Sequence, residues 1–320
     1  MAFRANRRAL CALLLLTWGS GPATASSLRA GPEPPLPPAE QPGPEADREA
    51  KVRELGEALQ SPAERALQIY REGDVAAALE RLEAVLAADP EDFDARALRA
   101  SIFDRQGAYQ RAKDDFDVCL KLRPDSADLR HYRGVARFML GDFAGSVADF
   151  NAYLEAFPGR RAAHWQRGIA LYCNGDYAAG RRQFEEHQTV NPRDVENAAW
   201  HYLCVARQEN VEQAHRKLIP IEGDPRVPMT EIHRLYAGTG TEKDVLAACE
   251  AGEPDPAELR DRLGYAHLYI GLYEEAQGRN ASALAHLKLA AEDYFVPHYM
   301  GRAAQVYYRH RARLGAQNIP

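Results

Sequence analysis

Residues 91–124, EDFDARALRASIFDRQGAYQRAKDDFDVCLKLRP, and residues 125–158, DSADLRHYRGVARFMLGDFAGSVADFNAYLEAFP, are two windows of equal length that end on the same residue type. Their prolines belong to a series, Pro90, Pro124, Pro158 and Pro192, spaced by 34 residues each time. Other columns keep the same period. Sixteen positions before each proline stand Asp74, Ala108, Asp142 and Asp176, each preceded by glycine. Twelve before stand Ala78, Ala112, Ser146 and Gly180, all small. Eight before stand Leu82, Phe116, Phe150 and Phe184. Twenty-four before stand Ala66, Ala100, Gly134 and Gly168, small again.

Each period holds two amphipathic stretches of about 14 residues joined at the glycine. Small residues recur where two helices must approach closely, and a bulky residue there would overpack the contact at a cost of ~1–3 kcal/mol. The aromatic column fills the space between the helices. The proline closes the second helix, because the residue before it is pushed out of the helical region.

A 34-residue helix–turn–helix period with these columns resembles the tetratricopeptide repeat (TPR). The resemblance covers residues 59–192 as four consecutive repeats. It implies an all-α superhelical solenoid, because no single hairpin can bury its apolar face alone. One column departs from the family: the bulky aromatic near the start of the first helix is missing. Arg65, Arg99, Arg133 and Arg167 recur one position before the small residue, and Asp115 and Asp149 one position before the phenylalanine. An anion-binding arginine stripe and an ion-pair ladder between packed helices both fit this pattern. The shared period of the acidic column favours the ladder.

Past Pro192 the pattern loosens. Residues 194–209 read as one more first helix, followed by a short partner helix, VEQAHRKL, and a break at IPIEGDPRVPM. TEIHRLYAG and TEKDVLAACEAG read as short helices with stops at Gly238 and Gly252 and an N-cap at Thr241. From Pro256 a divergent repeat appears, with Gly271, Gly278, Ala283, Leu287 and Ala290 at TPR-like offsets, and VPHYMGRAAQVYYRHRAR follows as a capping helix. The expected total is twelve or thirteen helices.

The N-terminus has another character. Arg4, Arg7 and Arg8, then ALCALLLLTW, then Ala23-Thr24-Ala25 follow the order of a secretory signal peptide, with cleavage after Ala25. About ten apolar residues are too few to span a bilayer as a helix, so no stable membrane insertion is expected after cleavage. Cys11 lies near the start of the apolar run, the wrong end for lipidation. Seven prolines in residues 31–46 favour an extended tether. The expected organisation is a signal peptide at 1–25 and a linker at 26–46. Four repeats with a leading helix follow at 47–193, an irregular helical segment at 194–255, and a divergent unit with its cap at 256–313.

Charge excludes some partners. Loss of the three leading arginines takes the formal net charge from −6 to −9. An acidic chain repels phosphate backbones and anionic membrane surfaces, so nucleic acid is not an expected partner. Cys119, Cys173, Cys204 and Cys249 are far apart in apolar surroundings and read as buried thiols rather than disulfides. No CxxC, HExxH, Walker loop, G-x-S-x-G or GxGxxG occurs. His187, His201 and His215 recur at fourteen residues, but Pro192 breaks the helix between the first two. No catalytic residue, metal site or cofactor is expected. A site in the irregular stretch around 220–240 is the enzymatic alternative.

In a TPR solenoid the first helices line the concave face. Two columns point there: Ala97, His131 and Trp165; and Tyr70, Asp104, Phe138 and Tyr172, flanked by Arg71 and Arg105. Aromatics and arginine suit peptide capture. The candidate partner-binding residues are therefore Tyr70, Arg71, Asp104, Arg105, His131, Phe138, Trp165 and Tyr172. The basic-plus-Asn clamp of chaperone-binding TPR domains is absent from these columns. A second candidate surface is C-terminal. Tyr265, Tyr269 and Tyr273 share a helix face, with Tyr294, Tyr299, Tyr307 and Tyr308 nearby. These tyrosines fit an interface or a core under the cap equally well.

The order of signal peptide, four repeats, WHYLCVA- and EIHRLYAG-like segments and a closing GLYEEAQG repeat resembles the NlpI-type exported TPR adaptors. That resemblance implies a non-enzymatic adaptor of the bacterial envelope, periplasmic or envelope-associated. Its relatives bring cell-wall hydrolases together with a processing protease, and they can form homodimers. The alternative is a structural subunit that assembles an envelope complex through its C-terminal surface.

Overall fold

The computed structural model describes residues 61–317. The expected signal peptide, linker and leading helix lie outside the described residues. The described residues contain fifteen α-helices and no strand, more than the twelve or thirteen expected, and they fall into two compact units that divide between Arg123 and Pro124. The division lies inside the repeat array.

The first unit holds α1 (Pro62–Arg71), α2 (Val75–Ala88), α3 (Phe93–Arg105) and α4 (Tyr109–Leu122). Ser61 and Glu64 form a capping box at the start of α1. The Asp after the turn glycine caps the second helix here: Asp74 Oδ1 accepts from the Ala77 N–H at 2.9 Å. Ala66 and Ala78 are fully buried, and Leu67, Leu82, Leu98 and Ile102 complete the core beside them. Between α3 and α4, Asp115 accepts from Arg99 Nε and from Arg96 Nη1, each at 2.8 Å.

The second unit begins with α5 (Ala127–Met139) and α6 (Phe143–Ala156), then one 3-10 turn at Pro158–Arg160. It continues with α7 (Trp165–Cys173), α8 (Tyr177–Gln188), α9 (Val195–Gln208) and α10 (Val211–Arg216). The short α11 (Met229–Tyr236) and α12 (Glu242–Glu250) follow. Then come the long hairpin α13 (Pro256–Ala276) and α14 (Asn280–Ala291), and the last helix α15 (Tyr299–Gln317). The small column has a direct cause here. A Cβ on Gly134 would lie 2.7 Å from the Phe150 ring, and one on Gly168 would lie 2.6 Å from the Phe184 ring. The aromatic of each second helix thus rests on the bare backbone of its first helix. Gly141 and Gly175 take φ of 81° and 85° at the turns, a region that only glycine enters freely.

The ladder also has a direct form. Arg133 Nε donates to Asp149 Oδ2 at 2.8 Å, and Arg137 adds a second cation at 3.0 Å. In the next repeat Gln183 replaces the aspartate and accepts from Arg167 Nη1 at 2.9 Å. Arg99, Arg133 and Arg167 are thus engaged inside their hairpins, the arrangement of a ladder. The four cysteines are free thiols, with Cys119, Cys204 and Cys249 buried. Thr241 caps α12 through a capping box, and Gly238 and Gly252 take positive φ after α11 and α12, as the sequence suggests.

Candidate partner-binding groove

Four candidate contacts lie in the first unit. Tyr70 is half-buried against that unit's core, Arg71 is exposed and Arg105 is half-buried. Asp104 is buried, so its carboxylate does not stand open on the surface.

The other four lie in the second unit. The first-helix face of α5 and α7 is covered there by the chain's own α15. Phe138 stacks on Tyr299 at a centroid distance of 5.9 Å. Trp165 meets the same tyrosine edge-on at 4.9 Å. Tyr172 faces Tyr307 at 6.2 Å and Trp200 at 5.4 Å. Phe138 and Tyr172 are buried, and Trp165 is half-buried. The expectation of an open groove at Phe138 and Tyr172 is therefore corrected. A helix with small residues at Ala303 and Ala304 approaches closely enough to exclude water from both rings.

His131 has a different role. His164 Nδ1 accepts the Arg167 N–H at 3.2 Å as the cap of α7. Its proton therefore sits on Nε2 and is donated to His131 Nδ1 at 3.0 Å. Phe150 and Tyr153 surround the pair. Burial, with Arg160 nearby, pushes His131 down to about 4. Burial and the neighbouring His131 push His164 down to about 3. The pair is a neutral packing element.

Sequence reasoning did not single out the polar anchor of α15. Glu275 near the end of α13 is 3% exposed by side chain. It accepts from Arg207 Nη2 at 2.5 Å, from the Tyr307 hydroxyl at 2.7 Å, and from Arg311. Burial and Glu275 raise the Tyr172 hydroxyl well above its ordinary range, so it stays protonated. The signal was present as an acid inside GLYEEAQG and as the RHRAR run after Tyr307-Tyr308, but nothing in either stretch said that the two meet. Of the C-terminal tyrosines, Tyr269, Tyr299 and Tyr307 are buried, which favours the core reading over an interface.

The irregular stretch is held by Arg226. Its guanidinium reaches Asp194 and Asp224 at 2.7 Å and Glu196 at 2.5 Å. Asp224 also accepts the Val195 N–H at 3.1 Å, so these carboxylates fasten the loop to the first turn of α9. The three evenly spaced histidines have separate partners. His187 donates to Ala162 O at 2.9 Å, His201 faces Glu185 at 3.5 Å, and His215 meets the Tyr202 hydroxyl at 3.1 Å. Among the described residues, no group of three or more His, Cys, Asp or Glu side chains is placed to hold a metal ion. No described helix is long and apolar enough to cross a membrane.

A sequence profile described as tetratricopeptide repeat matches residues 64–127, 114–161 and 133–199. No curated protein sequence matches. Among solved structures, a tetratricopeptide repeat protein from Parabacteroides merdae is similar at 20% identity and a TM-score of 0.52. That match covers 77% of this chain and 96% of the other. A MamA fragment from Desulfovibrio magneticus matches at 18% identity and a TM-score of 0.44, covering 49% and 92%. PilW, a type IV pilus biogenesis factor, matches at 18% identity and a TM-score of 0.39, covering 73% and 93%. The Parabacteroides protein supports the fold. The chain carries tetratricopeptide repeats, and its fold is the all-α TPR type.

Proposed function

We propose that this protein is an exported, non-enzymatic scaffold that docks partner proteins on the first-helix faces of its repeats. TPR domains generally bind other proteins, and the repeats here occupy residues 64–199. The observation that carries the reading is the seating of α15. The face formed by Phe138, Trp165 and Tyr172 accepts an amphipathic helix through aromatic contacts, with the nearby Glu275 as a charged anchor. This is helix-in-groove recognition. The corresponding face of the first unit presents Tyr70, Arg71 and Arg105 and is the candidate surface for a partner.

The envelope role rests on the leader at residues 1–25 and on the resemblance to NlpI-type adaptors. By that resemblance the partners are cell-wall hydrolases and a processing protease. The burial of Tyr269, Tyr299 and Tyr307 argues against assembly through a tyrosine-rich C-terminal surface.

The test is affinity capture from the native envelope with the mature chain and with a Tyr70→Ala/Arg71→Ala/Arg105→Ala variant. Hydrolases or a protease retained by the parent and lost by the variant support the reading. The same proteins on both baits, or none on either, would remove this face as the docking site.

A further inference from the structure

Helix α15 sits on its face as a ligand would. Its inward residues form one row at intervals of four: Tyr299, Ala303, Tyr307 and Arg311. On a helix this row makes a slightly slanted ridge. Tyr299 meets Phe138 and Trp165, Ala303 permits close approach, Tyr307 meets Tyr172 and Glu275, and Arg311 closes on Glu275.

The hairpins under this ridge carry locks of their own. Hairpin α5–α6 is locked by Gly134 against Phe150 and by Arg133 on Asp149. Hairpin α7–α8 is locked by Gly168 against Phe184, and α13–α14 by Gly271 against Leu287. None of these contacts uses α15. The seat itself is imperfectly filled. Two cavities of about 10 Å3 each lie beneath α15. Phe138, Cys173, Trp200 and Tyr307 line one of them, and Gly264, Val296 and Gly301 help line the other. Such voids forfeit dispersion contacts along their walls. The outer end of α15 is open, with Arg309 and Arg313 exposed. The segment 292–298 joins α15 to α14, along which it also packs, with Gln305 Nε2 donating to Ala291 O at 3.0 Å.

We propose that the groove of the second unit exchanges α15 for an amphipathic helix of a partner protein. That helix carries an aromatic residue, a small residue, a second aromatic and a basic residue at successive intervals of four. The proposal rests on the scaffold reading and names the partner's chemistry. Glu275 sets the specificity. When α15 leaves, this buried carboxylate loses Arg311 and Tyr307 and keeps only Arg207. An incoming helix must restore donors at that point, because a buried carboxylate short of partners is costly. A helix without the basic residue is therefore rejected.

The test uses the full mature chain and a fluorescent synthetic peptide of residues 297–317 as the probe. Tyr299→Ala/Arg311→Ala in the chain weakens the resident helix and leaves the wall intact. This chain should bind the probe about tenfold or more tightly than the parent, the gain expected from removing one charge-assisted contact of the competitor. A probe carrying Arg311→Ala should lose that gain, and so should Glu275→Gln added to the loosened chain. Equal probe binding by parent and loosened chain, with helical circular dichroism unchanged, would overturn the proposal and leave α15 a fixed cap. If the loosened chain loses helix, hydrogen exchange of the parent decides. Exchange of α15 amides as a group before those of α13 and α14 supports release, and exchange only on global unfolding overturns it. A dimer formed by mutual exchange of α15, read by light scattering, would replace the partner helix with a second copy of this chain. The assay contains no cellular protein, so its result stands apart from the capture on the first unit.

Discussion

Glu275 and Arg207 lie 68 residues apart in the chain and meet at 2.5 Å, with the carboxylate almost fully buried beneath α15. Arg207 lies in the last turn of α9 and Glu275 in the last turn of α13, so this one contact ties two first helices together, and the carboxylate also receives Tyr307 and Arg311. Replacing Glu275 by alanine leaves Arg207 and Tyr307 without their acceptor. Loss of one member of a buried pair costs about 3–5 kcal/mol, and the partial exposure of both arginines brings the expected cost to about 2–3 kcal/mol. Glu275→Gln retains an acceptor and should cost about half as much. Urea unfolding followed by tryptophan fluorescence measures both.

The Arg–Asp ladder contains its own comparison. Asp149 holds Arg133 and Arg137, whereas Gln183 serves Arg167 in the next repeat. Glutamine is therefore an accepted solution at this position of the hairpin. Asp149→Ala takes the shared carboxylate from two half-buried guanidiniums, of which Arg137 keeps Gly145 O and Asp142, and should destabilise by about 2 kcal/mol. Asp149→Gln should recover at least about 1 kcal/mol of that by accepting one hydrogen bond. Equal midpoints for the two variants in chemical denaturation would show that the ladder contributes nothing specific.

The hairpins were legible because their causes are local. Spacing by 34 residues places Gly134 under Phe150 and Gly168 under Phe184, and each pair needs only one hairpin to make sense. Asp74 as a cap and Arg133 facing Asp149 follow from the same columns. The groove was only half legible. Its wall residues Phe138, Trp165 and Tyr172 follow from the repeat register, but their occupant lies more than a hundred residues later. A tyrosine on α15 looks the same in sequence whether it faces solvent or Phe138. Asp104 likewise shares a column with Tyr70 yet is buried. The repeat predicts which face a residue occupies, and tertiary packing decides whether that face stays open.

The small column gives a sharp packing test. A methyl group at Gly168 would sit 2.6 Å from Phe184, whose ring is 1% exposed and has no room to retreat. Overpacking costs ~1–3 kcal/mol, while alanine gains about 1 kcal/mol in helix propensity. Gly168→Ala should therefore destabilise by a net of up to about 2 kcal/mol. Phe184→Leu should be less costly in the Gly168→Ala background than alone, since the smaller side chain makes room for the methyl group. Additive effects in that double-mutant cycle would mean that the two residues are not in contact.

Stability should also fall on mild acidification, and the buried histidines fix the direction. Burial, with Arg160 close by, lowers His131 to about 4. Burial and its histidine neighbour lower His164 to about 3, and burial with His286 lowers His267 to about 4. Unfolded histidine titrates near 6.5. As pH falls through that value the unfolded chain takes up protons that the folded chain refuses. The stability held above pH 6.5 is then lost progressively until the folded groups titrate near 4. Each such group contributes a slope of about 1.4 kcal/mol per pH unit within the window. Urea midpoints between pH 7 and pH 4 should show the decline. His164→Asn keeps an acceptor for the Arg167 N–H and removes one titrating ring, so its decline should be shallower. An unchanged slope in that variant would mean that the pair stays hydrated enough to protonate in the folded chain.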